Sequence, residues 1–196
     1  MGKVMGAIVL IFWAGFAAAE KETIAELGGS QTQGYGLPVD QGFVPQLEAW
    51  LQDQGAEAEV INAGVSGDTT AGGLSRVAWT LTPDVDAMIV TLGGNDLLRG
   101  IGPEVSRANL EGIVRSATEA GVAILVIGMQ APGNYGPDYK AAFDAMYPEI
   151  AAQYDTLYLE SFFEGLGGAG TAPAALGAFM QGEGIHPSAQ GVARIG

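Results

Sequence analysis

The sequence contains no cysteine and only one histidine among its 196 residues. Without cysteine the chain forms neither disulfides nor thiolate metal sites. A single imidazole also argues against a zinc enzyme, because catalytic zinc is usually held by several histidine or carboxylate side chains. We therefore expect no metal and no other cofactor.

Basic residues are scarce. Eight Lys and Arg stand against 22 Asp and Glu, which gives a formal net charge of −14. Nucleic-acid binding requires clustered Lys and Arg to neutralise phosphates, so the composition excludes nucleic acid as a partner. The same charge disfavours approach to anionic membranes and is typical of a surface that keeps a protein in solution.

Long hydrophobic runs are absent except at the N-terminus. Lys3 precedes an apolar run over 4–16, and Ala17, Ala18 and Ala19 follow it. This pattern predicts a secretory signal peptide over 1–19, since the run is too short for a spanning helix. A buried N-terminal helix is the alternative. We expect one domain over 20–196, periplasmic or secreted, with no stable membrane insertion after cleavage.

The rest of the chain alternates apolar runs with amphipathic segments. The runs predict strands over 23–27, 59–62, 87–92, 123–128 and 157–159. Helices are predicted over 43–54, 104–120 and 139–152. Two further helices are predicted to begin after N-caps at Asp68 and Ser188. Residues 165–170 are predicted to form a mobile connector. Five strands alternating with helices predict a single doubly wound α/β domain with a five-stranded parallel sheet.

Polar glycine-rich turns follow the predicted strands. They contain Ser30, Gly67 and Asn95, and the segment around His186 follows the last strand. Because the carboxyl ends of parallel strands share one edge of a sheet, these turns are expected to converge there. The Ser30 turn fits neither the dinucleotide fingerprint nor the phosphate loop. On its own it is typical of a flexible turn with a surface serine.

His186 is the natural candidate for acid–base chemistry, since imidazole is the side chain that ordinarily titrates near neutral pH. It lies between a glycine-rich loop and Pro187, which prevents a helix from running through it, and Ser188 suits a helix cap. Glu183, three residues upstream, provides a carboxylate that can orient the ring as in a catalytic triad.

Four blocks carry a resemblance to a known family: 28–31 (Gly-Gly-Ser-Gln), 66–69 (Ser-Gly-Asp-Thr), 93–96 (Gly-Gly-Asn-Asp) and 183–187 (Glu-Gly-Ile-His-Pro). Their order and spacing resemble the SGNH branch of the GDSL-type esterases, especially secreted bacterial arylesterases and lysophospholipase-like thioesterases. The resemblance extends over 23–196. It implies a flavodoxin-like sheet, the SGNH hydrolase fold, and an acyl-serine mechanism.

The resemblance also assigns roles. It implies that Ser30 is the nucleophile, His186 its base and Glu183 the triad acid. The backbone N–H groups of Ser30 and Gly67 and the side chain of Asn95 are the implied oxyanion donors. The loop residues Asn134, Tyr135 and Gly136 match the segment that binds substrate in the family.

Three positions depart from the family pattern. Gly29 and Gln31 stand where the family has Asp and Leu, and Glu183 stands where it has Asp. These changes remove a carboxylate, place an amide at an apolar position and lengthen the triad acid by one methylene. We also expect the final helix to be shorter than in the family, which would leave apolar surface of the sheet uncovered.

The sequence thus predicts a secreted, monomeric serine esterase that hydrolyses carboxylic esters or thioesters of small or medium acyl chains. Lysophospholipids are further candidate substrates, and the departures are expected to weaken activity. Two alternatives stay open. One is a catalytically impaired protein of the same fold that binds an acyl ligand, and the other is a carbohydrate O-deacetylase.

Overall fold

The structure is a computed structural model that describes residues 21–167 and 176–195. The predicted signal peptide, 1–19, and part of the predicted connector, 168–170, lie outside these residues. None of the helices within the described ranges has the length and hydrophobicity needed to cross a bilayer.

Five strands form one parallel sheet in the order β2-β1-β3-β4-β5, which confirms the predicted architecture. The strands are β1 Glu22–Gly28, β2 Ala58–Gly64, β3 Ala87–Thr91, β4 Ala123–Ile127 and β5 Leu157–Leu159. Gly28 at the end of β1 pairs with Gly64 of β2 and Thr91 of β3. The central strands therefore end level with one another, and the turns that follow them start at one edge.

Helices cover both faces of this sheet. They are α1 Ser30–Gln33, α2 Phe43–Asp53, α3 Thr70–Thr80, α4 Gly94–Leu98, α5 Pro103–Glu119, α6 Pro137–Tyr154 and α7 Ala189–Ile195. Helices α3, α5 and α6 pack side by side on one face, and α1, α2 and α7 lie on the other. Short 3-10 turns occupy Val39–Gln41, Gly133–Tyr135, Glu164–Leu166 and Gly177–Phe179.

The core lies between the sheet and these two helical layers. All five residues of β3 are buried, as expected for a parallel strand covered on both faces. Leu110 and Ile113 of α5 and Phe143 and Tyr147 of α6 belong to the same hydrophobic core and are almost fully buried. The predicted helix over 104–120 and strand over 157–159 agree with the structure.

The cap of α3 was predicted at the wrong residue. Thr69, not Asp68, is the N-cap: its backbone is extended, and its side chain accepts a hydrogen bond from the Gly72 N–H. The Asp68 carboxylate instead accepts from Arg76 Nε at 2.7 Å. Because the Asp68 carboxylate is paired with Arg76, it does not cap the helix. At the other end of the chain, Ser188 caps α7 as predicted, accepting from the Gly191 N–H.

Candidate active site

Ser30 is the first residue of α1 and follows β1 directly. A side chain on Gly28 would place its Cβ 1.8 Å from Thr32 Oγ1, so glycine is required for α1 to begin this close to the strand. The turn puts the Ser30 hydroxyl at the carboxyl edge of the sheet. Only 5% of the Ser30 surface is exposed.

His186 faces Ser30 across this edge. Its Nε2 lies 2.8 Å from Ser30 Oγ, and its Nδ1 lies 2.7 Å from Glu183 Oε1. Because a carboxylate only accepts hydrogen bonds, Nδ1 carries the proton and the neutral ring presents Nε2 as an acceptor to the serine hydroxyl. Three side chains thus form a continuous hydrogen-bonded relay, although 156 positions separate Ser30 from His186.

Glu183 binds His186 twice, since its Oε1 also accepts from the His186 backbone N–H at 3.0 Å. A hydrogen bond from its own backbone N–H, together with those from His186, holds the pKa of Glu183 below its ordinary value. The carboxylate is therefore ionised at neutral pH, as required to orient the ring.

Gln181 fastens the loop that carries His186. Its backbone N–H donates to the His186 carbonyl at 2.7 Å, and its side-chain Nε2 donates to the Tyr35 carbonyl at 2.8 Å. The Tyr35 ring also packs on the His186 ring, with 4.7 Å between centroids. These contacts hold the imidazole loop against the segment that follows α1. Gln181 was not predicted from sequence, because a lone glutamine carries no recognisable chemistry outside its structural context.

The turns that contain Gly67 and Asn95 meet beside Ser30. Asn95 Nδ2 donates to the Asp68 carbonyl at 2.9 Å and lies 3.3 Å from the position that a Cβ on Gly29 would take. Gly67 has a φ of 80°, which glycine adopts without strain, and its carbonyl accepts from Arg99 Nη2 at 2.8 Å. The structure therefore brings the predicted oxyanion donors to the same edge as the relay.

Two charged residues hold these turns, and neither was given a role from sequence. Asp96, which is 1% exposed, accepts from the Thr70 N–H, the Thr70 hydroxyl and the Ser106 hydroxyl. Arg76 donates to Asp68, to the Ala63 carbonyl and to the Gly28 carbonyl. The Arg76 guanidinium thereby ties the ends of β1 and β2 to the Gly67 turn.

A cavity of about 430 Å³ opens next to Ser30. Its wall is largely apolar and includes Leu97, Met129, Phe163, Leu166, Met180 and Ile185. Ser30, Gln31 and Asn95 lie at one side, and Gln130 and Ser161 add further polar atoms. The wall combines a large apolar surface with a few polar groups, which is typical of a small-molecule site.

The predicted substrate-binding residues Asn134, Tyr135 and Gly136 do not line this cavity. They form and end the 3-10 turn Gly133–Tyr135, and the Tyr135 ring packs beside Tyr139, with 4.9 Å between centroids. The same loop reaches the cavity through Gln130 and Pro132 instead. Whether 134–136 contact substrate stays a prediction.

Glu26 lies on β1, beneath the turn that carries Ser30. It is fully buried, and neither carboxylate oxygen has a hydrogen-bond partner among the residues described. Burial raises its pKa to about 8, opposed by the nearby Thr91 hydroxyl and the charge of Arg76. The chain thus buries, in an interior strand of the sheet, a carboxyl group that is largely protonated at neutral pH.

The family model of the GDSL-like lipase/acylhydrolase family matches residues 27–194. Esterase TesA of Pseudomonas aeruginosa is 39% identical over 184 residues, which cover 93% of this chain and 87% of that protein. Thioesterase 1/protease 1/lysophospholipase L1 of Escherichia coli K12 is 33% identical and covers 88% of this chain and 79% of its own.

Solved structures agree with these sequence relatives. AlinE4, described as an SGNH-hydrolase family esterase, superposes with a TM-score of 0.77 at 40% identity, covering 90% of this chain and 91% of its own. The crystal structure of TesA gives 0.78 at 38% identity, covering 89% and 93%. The chain therefore belongs to the GDSL-like lipase/acylhydrolase family, with the SGNH-hydrolase fold, whose members are serine hydrolases that act on esters.

Proposed function

We propose that this protein hydrolyses carboxylic esters or thioesters of small or medium acyl chains through an acyl-serine intermediate. The observation that carries the proposal is the relay Glu183–His186–Ser30, with separations of 2.7 Å and 2.8 Å at its two links. A serine hydroxyl is a weak nucleophile unless a base within hydrogen-bonding reach takes its proton, and His186 Nε2 is such a base.

In the first step, Ser30 Oγ forms a bond to the substrate carbonyl carbon while its proton passes to His186 Nε2. The electron pair of the carbonyl double bond moves to oxygen. The N–H groups of Ser30 and Gly67 and the amide of Asn95 are proposed to stabilise that oxyanion. Removing one such donor typically costs on the order of 100- to 1000-fold in rate.

The intermediate then expels the alcohol or thiol, which takes the proton from His186, and the acyl group stays on Ser30. A water molecule attacks this ester as His186 accepts its proton. Ser30 Oγ finally leaves the second tetrahedral intermediate and recovers a proton from His186, which releases the carboxylic acid. Glu183 keeps the ring oriented and stabilises the imidazolium in both halves of the cycle.

The cavity beside Ser30 supports the proposed substrate class. Its apolar wall suits an acyl chain, and its volume of about 430 Å³ lies in the range of ordinary small-molecule sites. We propose that the loop over 130–136 borders this acyl site, with Asn134, Tyr135 and Gly136 contacting longer substrates at its rim.

The test is hydrolysis of p-nitrophenyl esters of increasing chain length, with Ser30→Ala as the matched control and an acetylated sugar in the same panel. We expect turnover of the aryl esters that Ser30→Ala abolishes, and labelling of Ser30 by a fluorophosphonate that His186→Ala prevents. Folded protein that is neither labelled nor faster than Ser30→Ala would instead indicate a catalytically impaired binder of acyl ligands.

We also propose that the protein is exported to the periplasm or beyond, as a monomer. The support is the pattern of Lys3, the apolar run over 4–16 and the small residues up to Ala19. Mass spectrometry of protein recovered outside the cytoplasm of a Gram-negative host should give an N-terminus at Glu20. An intact Met1 on such protein would contradict the proposal.

A further inference from the structure

Gln31 places a primary amide directly beside the nucleophile. It follows Ser30 in α1, is half-buried and lines the cavity next to Ser30. Its Oε1 lies 3.4 Å from Ser30 Oγ. The cavity wall also includes the apolar side chains of Leu97 and Met129.

Within the part of the chain that the structure describes, the N–H groups of the Gln31 side chain are free to donate to a bound molecule. Across residues 21–167 and 176–195, the 3.4 Å approach of Oε1 to Ser30 Oγ is the one polar contact that this side chain makes, and the Ser30 proton points to His186 instead. Gln31 Nε2 donates to no acceptor among these residues. The other polar side chains of the wall, apart from Ser30, each make a protein hydrogen bond, and Asn95 Nδ2 donates to the Asp68 carbonyl. Gln130 Nε2 donates to Glu160 Oε1 at 3.1 Å, and Ser161 Oγ accepts from the Phe163 N–H at 3.2 Å. Among the described residues of the wall, Gln31 is thus the side-chain amide whose N–H groups both lack a protein acceptor.

The position of the Gln31 amide determines which atoms of the acyl chain lie within its hydrogen-bonding reach. The acyl carbonyl carbon bonds to Ser30 Oγ in the proposed reaction, and Gln31 Oε1 lies 3.4 Å from that oxygen, with Nε2 bonded to the same amide carbon. It therefore faces the first atoms of the acyl chain rather than its far end. A methylene there would leave the amide N–H without a partner, whereas an oxygen there would accept it.

We propose that Gln31 determines acyl specificity and makes the enzyme favour acyl groups with an oxygen at the third chain position, such as 3-oxa-acyl or 3-hydroxyacyl esters. The inference rests on the proposed esterase function and names its substrate class. A site built to hydrogen-bond a substrate atom discriminates against the analogue that lacks it, because its own polar group is then left unpaired. Half-burial of Gln31 limits this discrimination to about 5- to 10-fold in kcat/KM.

The experiment compares p-nitrophenyl methoxyacetate with p-nitrophenyl butyrate. These esters have the same leaving group and chain length and differ by one oxygen in place of the third carbon. The specificity ratio is kcat/KM for methoxyacetate divided by kcat/KM for butyrate. Comparing this ratio between variants removes the difference in intrinsic reactivity of the two esters.

The wild-type ratio should exceed that of Gln31→Leu and of the unbranched Gln31→Met by about 5- to 10-fold. Gln33→Leu, which makes the same change at an exposed position of the same helix, should keep the wild-type ratio. Two apolar variants at position 31 are used so that one can still be measured if the other folds poorly. Thermal melting identifies a poorly folded variant.

Equal ratios in the wild type and both Gln31 variants would overturn the inference. An equal loss of rate on both esters would also overturn it, since Gln31 would then merely position Ser30. In either case Ser30-dependent turnover would leave the esterase function standing. Turnover of neither ester above the Ser30→Ala control would overturn the proposed function and this inference together.

Discussion

Glu183 and His186 are joined by two hydrogen bonds to the same carboxylate oxygen, one from ring Nδ1 at 2.7 Å and one from the backbone N–H at 3.0 Å. The three-residue spacing lets the carboxylate turn back onto the residue it orients. The carboxylate therefore fixes both the loop and the rotation of the ring.

This arrangement predicts different effects for two substitutions of Glu183. Glu183→Gln keeps the shape but loses the charge that stabilises the imidazolium, and kcat should fall by about 100- to 10,000-fold. Glu183→Asp keeps the charge with a shorter reach, so one of the two hydrogen bonds is weakened and kcat should fall by about tenfold or less. The measurement is kcat on p-nitrophenyl butyrate, with thermal melting as the folding control. Equal kcat values for the Glu183→Gln and Glu183→Asp variants would show that the charge has no role.

The second prediction concerns the carboxylate missing at position 29. Gly29 has φ −95° and ψ −141°, and a Cβ there would lie 3.3 Å from Asn95 Nδ2 and 3.8 Å from the Asp68 carbonyl. Gly29→Asp therefore needs a shift of only a few tenths of an ångström, and its carboxylate can share the Asn95 N–H that donates to the Asp68 carbonyl, which leaves the second N–H for the oxyanion. We expect kcat to rise by about two- to tenfold because the Ser30 and Asn95 turns become better fixed.

Gly29→Asn is the matched control, since it has the same shape without the charge. Thermal melting of both variants shows whether the backbone at position 29 accommodates a side chain. A gain in kcat that is the same for Asn and Asp would assign the effect to the backbone rather than to the carboxylate. A slower Asp variant would contradict the prediction.

The third prediction concerns Arg76, which donates to Asp68 and to the carbonyls of Gly28 and Ala63. The ion pair is mostly buried, with 21% of the Arg76 and 14% of the Asp68 side chain exposed. Arg76→Met should lower the free energy of unfolding by about 2–4 kcal/mol, since it leaves the mostly buried Asp68 carboxylate without its partner and removes a donor from the Gly28 and Ala63 carbonyls. It should also lower kcat, because, among the described residues, the turn that contains Gly67 keeps only the Val65 N–H bond to the Gly28 carbonyl as its hydrogen-bonded link to the end of β1.

Arg76→Lys keeps the charge but cannot donate to three acceptors in the same geometry. Its free energy of unfolding and its kcat should therefore lie between those of the wild type and of Arg76→Met. Urea unfolding and kcat measure the two effects. The double variant Arg76→Met with Asp68→Asn should lose less stability than the sum of the losses in the two single variants, because the two side chains interact. Additive losses would show that the ion pair does not couple them.

The sheet was predictable because its central strands are continuous apolar runs. Ala87–Thr91 is an unbroken run of this kind, and such a run between turn signals is typical of a strand covered on both faces. The convergence of the Ser30, Gly67 and Asn95 turns followed from parallel topology, not from any one motif. The roles of these residues came from the family resemblance and stay predictions until the variants are measured.

Other features depend on contacts between distant segments and could not be predicted from the sequence. Asp and Thr are both favourable N-cap residues. Thr69 caps α3 because the Asp68 carboxylate pairs with Arg76 instead. Gln181 acquires its role from the Tyr35 carbonyl, 146 positions away. Glu26 looks like a solvent-facing residue in β1, yet it is buried because β1 lies between β2 and β3 with helices on both faces.

The buried Glu26 leads to a prediction for stability against pH. Burial raises the pKa of Glu26 to about 8, while glutamate in an unfolded chain titrates near about 4.3. Between these values the folded protein holds a proton that the unfolded chain has lost, so the free energy of unfolding decreases as the pH rises. The decrease begins near the unfolded value and levels off above about pH 8, with an upper limit of about 5 kcal/mol at about 1.36 kcal/mol per pH unit.

Two substitutions of Glu26 test this dependence. Glu26→Gln keeps the size of the side chain and removes its ionisation, and Glu26→Leu also removes the unpaired polar atoms. Relative to the wild type, both variants should gain stability progressively from about pH 5 to about pH 9 and show their largest advantage above about pH 8. Glu26→Leu should be the more stable of the two at every pH, because it leaves no buried amide without a partner.

Urea unfolding of the three proteins at about pH 5, 7 and 9 gives these differences directly, since all other titrating groups are shared. Because the charge of Arg76 lowers the pKa of Glu26, Arg76→Met should extend the loss of stability to higher pH. Glu26→Leu in the Arg76→Met background should remove that loss, since no carboxyl group is left at position 26 to ionise. A difference between the wild type and Glu26→Gln that stays constant over this pH range would show that Glu26 does not change its ionisation there.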